Sequence, residues 1–241
     1  MDLVTISETI DIIDQKIKKN EFIQQVVVNV AKLVHMQKDQ DLFNSVNESD
    51  LINIDGMGVI YGAKFMNYEV TKKHKVSGVD LFFHLIKLSE QKNYKVYLLG
   101  GTENVINLTH SNLMSKYPSL KIVGYHHGYF WDQEEKIVEK IKTSGAQLLF
   151  VAITSPKKEN FINKWKKELN VNFVMGVGGT FDIVSGLIKR APTWMQERGM
   201  EWLFRIIQEP RRMWKRYAYT NGMYFIMLIK KKLSKDNNNK V

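Results

Sequence analysis

Six short apolar runs, each followed by a turn and then by a stretch of helical spacing, constrain this chain more than any other feature. They occupy residues 26–30 (VVVNV), 51–54 (LINI), 94–99 (YKVYLL), 120–124, 147–153 and 171–175. Runs this short and this rich in β-branched side chains suit strands that are covered on both faces. Helical stretches are expected between them. The first spans residues 5–19, with Thr5 and Glu8 as a capping box and Ile6, Ile10, Ile13 and Ile17 on one face. Others fall at 31–37, 41–46, 59–66, 78–91 (Leu81, Phe82, Leu85 and Leu88 inward) and 156–169. One more begins after Thr102, one after Thr180, and one is capped by Asp132 with Glu135. Residues 67–77 read as irregular. Alternation of this kind predicts an α/β fold built on a mostly parallel, doubly wound sheet with helices on both faces.

Charge divides the chain where the alternation stops. Residues 196–241 hold 11 Lys plus Arg against 4 Asp plus Glu, whereas the preceding 195 residues carry 24 against 21. The expected organisation is a body over residues 1–190 and a basic, helical appendage over 191–241, cut by Pro210 into two helices. Arg198 and Arg205 share a face of the first helix, Arg212 and Arg216 a face of the second. Trp194, Trp202, Phe204, Trp214, Tyr217, Tyr224 and Phe225 are interleaved with them. Three readings of that pattern stand: packing on the body, nucleic-acid binding without a recognised module, and a bilayer interface. The last is preferred, with aromatic side chains immersed and cations on anionic headgroups. The apolar stretch 224–229 is far too short to span, since spanning takes roughly 20 residues. No cysteine is present, which excludes disulfides, a thiol nucleophile and Cys-ligated zinc. The first residues have neither a basic start nor a continuous apolar run, so no signal peptide is expected and a cytoplasmic location fits.

In open parallel sheets, ligands bind beyond the carboxyl ends of the strands. Four segments lie there: Asp55-Gly56, Gly100-Gly101-Thr102, residues 154–159 and residues 176–180. The last is glycine-rich (Gly176, Gly178, Gly179), with Thr180 placed as a helix N-cap; such turns bring backbone N–H groups close to phosphate. Asp55 follows a buried strand directly and reads either as a helix cap or as a general base. Asn29 either faces the same crevice or satisfies a local turn. Lys157 and Lys158 read as a solvated face or as partners of a diphosphate, with Pro156 at the first helical position. His127 reads as a loop histidine. Asp39-Gln40-Asp41 has the form of a metal-holding pair but lies between helices, where Asp39 suits a cap. No His or carboxylate cluster has metal spacing, so neither metal nor cofactor is expected. A dinucleotide-dependent oxidoreductase is disfavoured, because no strand-adjacent G-x-G-x-x-G is followed by an acidic residue about 20 positions on.

Taken together, the segments NIDGMGVIYGAKF, KVSGVDLF, VYLLGG, HGYF, SPKKENFI, GVGGTFDIVSG and APTWMQERGMEWLFRIIQEPRR resemble the WecG/TagA/CpsF family of bacterial glycosyltransferases along nearly the whole chain. The resemblance implies a Rossmann-like body and an appendage that docks on the membrane and completes the site. The implied reaction is inverting and metal-independent. It moves an N-acetylmannosamine-type sugar, or its uronic acid, from a UDP donor to polyprenyl-diphosphate-linked N-acetylglucosamine at the cytoplasmic leaflet. The family's catalytic aspartate falls on Asp55, its Thr-x-Asn on Val27-Val28-Asn29, and its appendage arginines on Arg205 and Arg212, with Arg216 or Lys215 third. Substrate contacts are implied for Gly56, Lys75, Gly100, Gly101, Thr102, His127 and Tyr129. They are implied also for Lys157, Lys158, Glu159, Gly178, Gly179, Thr180 and Asp182. Three positions depart from the family pattern: Val27 replaces threonine, Lys158 a glutamine and Lys75 an arginine. Lys158 then favours an anionic sugar or adds a phosphate contact. The residues leave the exact sugar, and association into homo-oligomers, open.

Overall fold

Period-two alternation decides how this chain stacks. In a strand successive side chains point to opposite faces, so a fully apolar run feeds two cores at once. Val96, Leu98, Leu148 and Phe150 enter one core, and their neighbours Tyr97, Leu99, Leu149 and Val151 enter the other.

The structure, a computed structural model, describes residues 1–238, apart from the side chains of Arg212 and of residues 235–238. The chain begins with α1 (Ile6–Lys18), β1 (Ile23–Val28), α2 (Val30–His35), α3 (Gln40–Asn47), β2 (Leu51–Ile54) and α4 (Met57–Phe65). It continues with α5 (Gly78–Lys92), β3 (Lys95–Gly100), α6 (Glu103–Lys116), β4 (Lys121–His126), α7 (Glu134–Ser144) and β5 (Leu148–Ala152). Next come α8 (Lys157–Trp165), β6 (Phe173–Gly176), α9 (Thr180–Val184), α10 (Thr193–Glu197), α11 (Glu201–Gln208) and α12 (Pro210–Asn238). The six strands form one sheet in the order β2-β1-β6-β5-β3-β4, every pair parallel. Helices α1, α5, α6 and α9 cover one face, with Phe82 meeting Phe150 edge-on at 4.8 Å. Helices α7 and α8 cover the other.

Several local expectations hold. Thr5 and Glu8 form the capping box of α1, Asp39 caps α3 through Leu42 N, and Thr102 caps α6. Others are corrected. The first strand starts and ends earlier than expected, at Ile23 and Val28, because Asn29 accepts from Lys32 N and turns Val30 into a helix. Gln133, not Asp132, precedes α7, and no side chain caps it. Pro156 sits one place before α8, which stops at Trp165. Thr180 is the first residue of α9 rather than its cap; its hydroxyl donates back to Val177 O at 2.7 Å. Residues 67–77 are not wholly irregular: Lys72–His74 form a 3₁₀ turn, and Lys75 bridges in parallel to Ile54.

The appendage has three helices, not two. Gly199 (φ 72°) separates α10 from α11, so Arg198 and Arg205 do not share one helix face. Arg198 instead lies over the Trp194 ring. Pro210 opens α12 as its fixed φ allows, and the helix runs on through Asn238. Tyr224 packs so closely on α4 that a Cβ at Gly62 would meet its hydroxyl at 2.0 Å. Lys38 donates to the Tyr219 hydroxyl at 2.8 Å, and Lys232 to Phe65 O at 2.7 Å. Among the described residues no helix is long and apolar enough to cross a membrane.

Candidate active site

The sheet order sets β1, β6 and β5 side by side, with β2 and β3 flanking them, so the four turn segments open along one edge. At the β3 end, Gly100 takes φ 130° and lies so near β5 that a Cβ would fall 2.3 Å from Ala152 O, which only glycine tolerates. Gly101 N donates to that same carbonyl at 2.9 Å, and Gly101 O accepts from Gly128 N at 2.8 Å. This fastens the histidine loop to the turn. His127 and Tyr129 lie beyond it, Tyr129 71% exposed and its amide donating to His127 Nδ1.

Asp55 leaves β2 with its amide still in the ladder, donating to Val28 O at 2.9 Å. The residue that caps α4 is Gly56 (φ 91°), with no side-chain cap bond, so Asp55 does not spend its carboxylate on capping. Among the described residues that half-buried carboxylate accepts no hydrogen bond and closes no ion pair. Burial, then the negative charges of Glu201 and Asp80, push its pKa up to about 6 against the pull of Lys75 and Lys32. A carboxyl group titrating there accepts a proton near neutral pH far better than an ordinary aspartate.

Asn29 and Asp55 stand on neighbouring strand ends. Asn29 does satisfy its local turn, its carboxamide oxygen accepting from Lys32 N at 3.0 Å. Lys158 and Glu159 are not a solvated face. They are buried, and Glu159 Oε1 lies 2.6 Å from Lys158 Nζ and 2.8 Å from Lys32 Nζ. Burial pushes Glu159 up, but the two ammonium groups outweigh it and hold the carboxyl at about 2. Burial and Lys32 push Lys158 down to about 8, Glu159 pulls it up, and Arg216 adds to the push. The Lys158 stem runs across the end of β6, where a Cβ at Gly176 would meet its Cε at 2.8 Å. Lys157 is exposed and rests over the Trp131 ring.

Residues of the appendage reach these strand ends. A Cβ at Gly199 would strike Met57, two residues after Asp55, at 2.4 Å. Lys75 Nζ donates to Gln196 O of α10 at 3.3 Å. A Cβ at Gly179 would lie 3.4 Å from both Arg205 Nη2 and Asp182 Oδ2, so both side chains meet the glycine turn, whose Gly178 is open to the crevice. Tyr217 is half-buried, edge-on to Trp202 at 6.0 Å, and feels the charges of Arg216, Arg205, Asp55 and Glu201. Arg212 has its backbone in α12, but its side chain lies outside the described residues.

The structure therefore assembles Asn29, Asp55, Lys75, Lys158, Glu159, Gly178, Gly179, Asp182, Arg205 and Arg216 around one edge. Gly100, Gly101, Thr102, His127 and Tyr129 stand at its β3 end. Lys157 points outward. Glu201, Tyr217 and Lys32 were missed. The one signal for Lys32 was a lone cation inside the apolar stretch VAKLV, three residues after Asn29. A groove of about 740 Å³ lies at the opposite edge of the sheet, lined in part by Asn20, Glu48, Gln147 and Asn172. There Lys166 pairs with Glu48 at 3.1 Å and Asp50 accepts from Gln24 N.

A parallel α/β sheet with a half-buried carboxylate at its carboxyl edge places that group where ligands bind in folds of this class. The chain belongs to the glycosyl transferase WecG/TagA/CpsF family, whose model matches residues 1–238. Over 179 residues it is 34% identical to the N-acetylglucosaminyldiphosphoundecaprenol N-acetyl-beta-D-mannosaminyltransferase of Bacillus subtilis (strain 168), which covers 74% of this chain and 68% of the relative. It is a glycosyltransferase.

Proposed function

We propose that this enzyme transfers N-acetylmannosamine from a UDP donor to polyprenyl-diphosphate-linked N-acetylglucosamine, with inversion and without a metal ion. The observation that carries the reading is Asp55: a carboxylate with no partner, pushed up to about 6, at a strand end that the appendage covers. Its oxygen takes the proton of the acceptor hydroxyl as that hydroxyl attacks the anomeric carbon from the face opposite UDP. The carbon–oxygen bond to the diphosphate breaks, and the leaving charge falls to Arg205 at the Gly178–Gly179 turn, with Arg216 and Arg212 as further cations. Residues 1–190 then act as the catalytic body and 191–241 as the part that completes the crevice.

The second half of the proposal concerns place. α12 buries Met213 and Thr220 and half-buries Tyr217 and Tyr224 on its inner side, and exposes Trp214, Phe225, Ile226, Ile229 and Leu233 on the other. Lys230 and Lys231 flank that stripe, and the exposed Phe65 of α4 lies beneath Lys232 next to it. Such a surface suits the anionic inner leaflet of the cytoplasmic membrane, where the acceptor's lipid is anchored.

Turnover of UDP-N-acetylmannosamine on a prenyl-diphosphate N-acetylglucosamine analogue tests the reaction. Asp55→Asn is expected to lower it by about 10²–10⁴-fold while calorimetry shows UDP still bound. Near-normal turnover in that variant ends Asp55's role as base.

A further inference from the structure

Lys32 is one of three charged side chains buried among the described residues, with Lys158 and Glu159. It is 6% exposed, yet both ends of it are engaged at the crevice. Its amide donates to Asn29 Oδ1, and its Nζ donates to Val27 O at 2.7 Å while pairing with Glu159 Oε1 at 2.8 Å. Val27 and Asn29 bracket Val28, whose carbonyl accepts the Asp55 amide at 2.9 Å. One side chain therefore ties the strand end that carries Asp55's backbone to the first turn of α8. It does so across the end of β6, which lies between β1 and β5 in the sheet.

The charges in that knot do not cancel. Two ammonium groups, Lys32 and Lys158, share a single carboxylate, so the enclosed cluster keeps a surplus cation. Buried unbalanced charge is costly unless something nearby uses it. The groups that face Asp55 are Lys75 beside its own strand, Glu201 on α11, Asp80 on α5, the Tyr217 phenol on α12, and Lys32 on α2. Lys75 also bonds Gln196 O of α10, and Asp80 is held by Arg190 at 2.6 Å. Glu201 lies on α11, in the appendage. Lys32 is the cation among them that is locked into the body, by contacts that do not depend on the appendage.

We infer that Lys32 is a positioning residue of the transfer: it fixes the end of β1 that holds the Asp55 amide and, with Lys75, supplies positive charge to the Asp55 carboxylate. This rests on reading Asp55 as the base, so the decisive measurement does not use turnover. The full-length protein is labelled with ¹³Cγ-aspartate, and the Asp55 resonance is identified by its loss in Asp55→Asn. Its titration midpoint is then followed in the native chain, in Lys32→Met and in Lys32→Arg. Removal of the cation is expected to move the midpoint up by roughly one unit or more, and arginine is expected to keep most of the native value.

Lys32→Met leaves Glu159 with one partner and risks misfolding, so the double variant Lys32→Met/Glu159→Gln is titrated beside it. That variant keeps the cluster's net charge while the Lys32 cation is gone, and the upward move should persist. An unchanged midpoint in either folded variant overturns the inference and leaves Lys32 a packing residue. The pH profile of sugar transfer should shift the same way. If the native protein transfers no sugar, the proposed reaction fails while the titration still decides the role of Lys32.

Discussion

The body and the appendage are held by different kinds of force. In the body every side chain of β5 is buried, and Leu148, Leu149, Phe150 and Val151 are at 0% exposure, packed from both sides. In α11 no side chain is fully buried, and α12 shows as much grease to the outside as to the inside. The body is stabilised by continuous apolar burial, worth roughly 25 cal/mol per Å². The appendage is held at separate points: Tyr224 on Gly62, Met57 on Gly199, Lys75 on Gln196 and Lys38 on Tyr219. Point contacts can yield without unfolding the sheet, so the part that finishes the crevice is also the part free to meet another surface. Asp55 sits on the seam, which explains why its environment draws on both regions.

The largest effect should come from striking the body's core. Phe82→Ala, which removes the ring packed on Phe150 and Phe181, is expected to cost about 3–5 kcal/mol in urea unfolding. A loss under 1 kcal/mol would mean the body is no better packed than its appendage.

Next in size is a gain. The pKa of Asp55 in the folded protein, about 6, exceeds its ordinary 3.8, so ionisation costs stability above pH 6 and the cost fades as pH falls from 6 to 3.8. Asp55→Asn should therefore stabilise the protein by about 3 kcal/mol at pH 8, with little change at pH 3.5. Equal melting curves at both pH values would show that the seam is not desolvated.

At the appendage, Gly62→Val drives a side chain into Tyr224. Hydrogen exchange should rise roughly tenfold along α12, on the order of 1.4 kcal/mol, while β5 amides stay protected. Loss of protection in both at once would make body and appendage a single cooperative unit.

The smallest effect on stability belongs to the outer stripe. Phe225→Ser and Ile229→Ser are expected to shift unfolding by no more than about 0.5 kcal/mol. Binding to vesicles containing anionic lipid should nevertheless fall by about tenfold or more, the scale of one large apolar side chain leaving the interface. Unchanged vesicle binding would assign the stripe to some other partner.

What could be read ahead of the coordinates was local. Six short β-branched runs foretold six strands, and Thr5 with Glu8, Asp39 and Thr102 announced their helix starts, because capping and alternation are settled within a few residues of chain. The same locality explains the misses. The first strand slid because Asn29 chose to cap a helix, and the pair Arg198–Arg205 fell apart because Gly199 took a left-handed φ inside what periodicity read as one helix.

The sequence by itself determined the alternating layers, the basic end and the glycine turns that gather at one edge. Only the tertiary structure decided that Lys158 is buried rather than solvated, that Lys32 belongs to the site, and that Asp55 is left without a partner. Each of those facts depends on which distant segments meet. A side chain's charge state and burial are set by the field and packing of neighbours that parallel crossovers bring from far along the chain, and no local pattern carries that information.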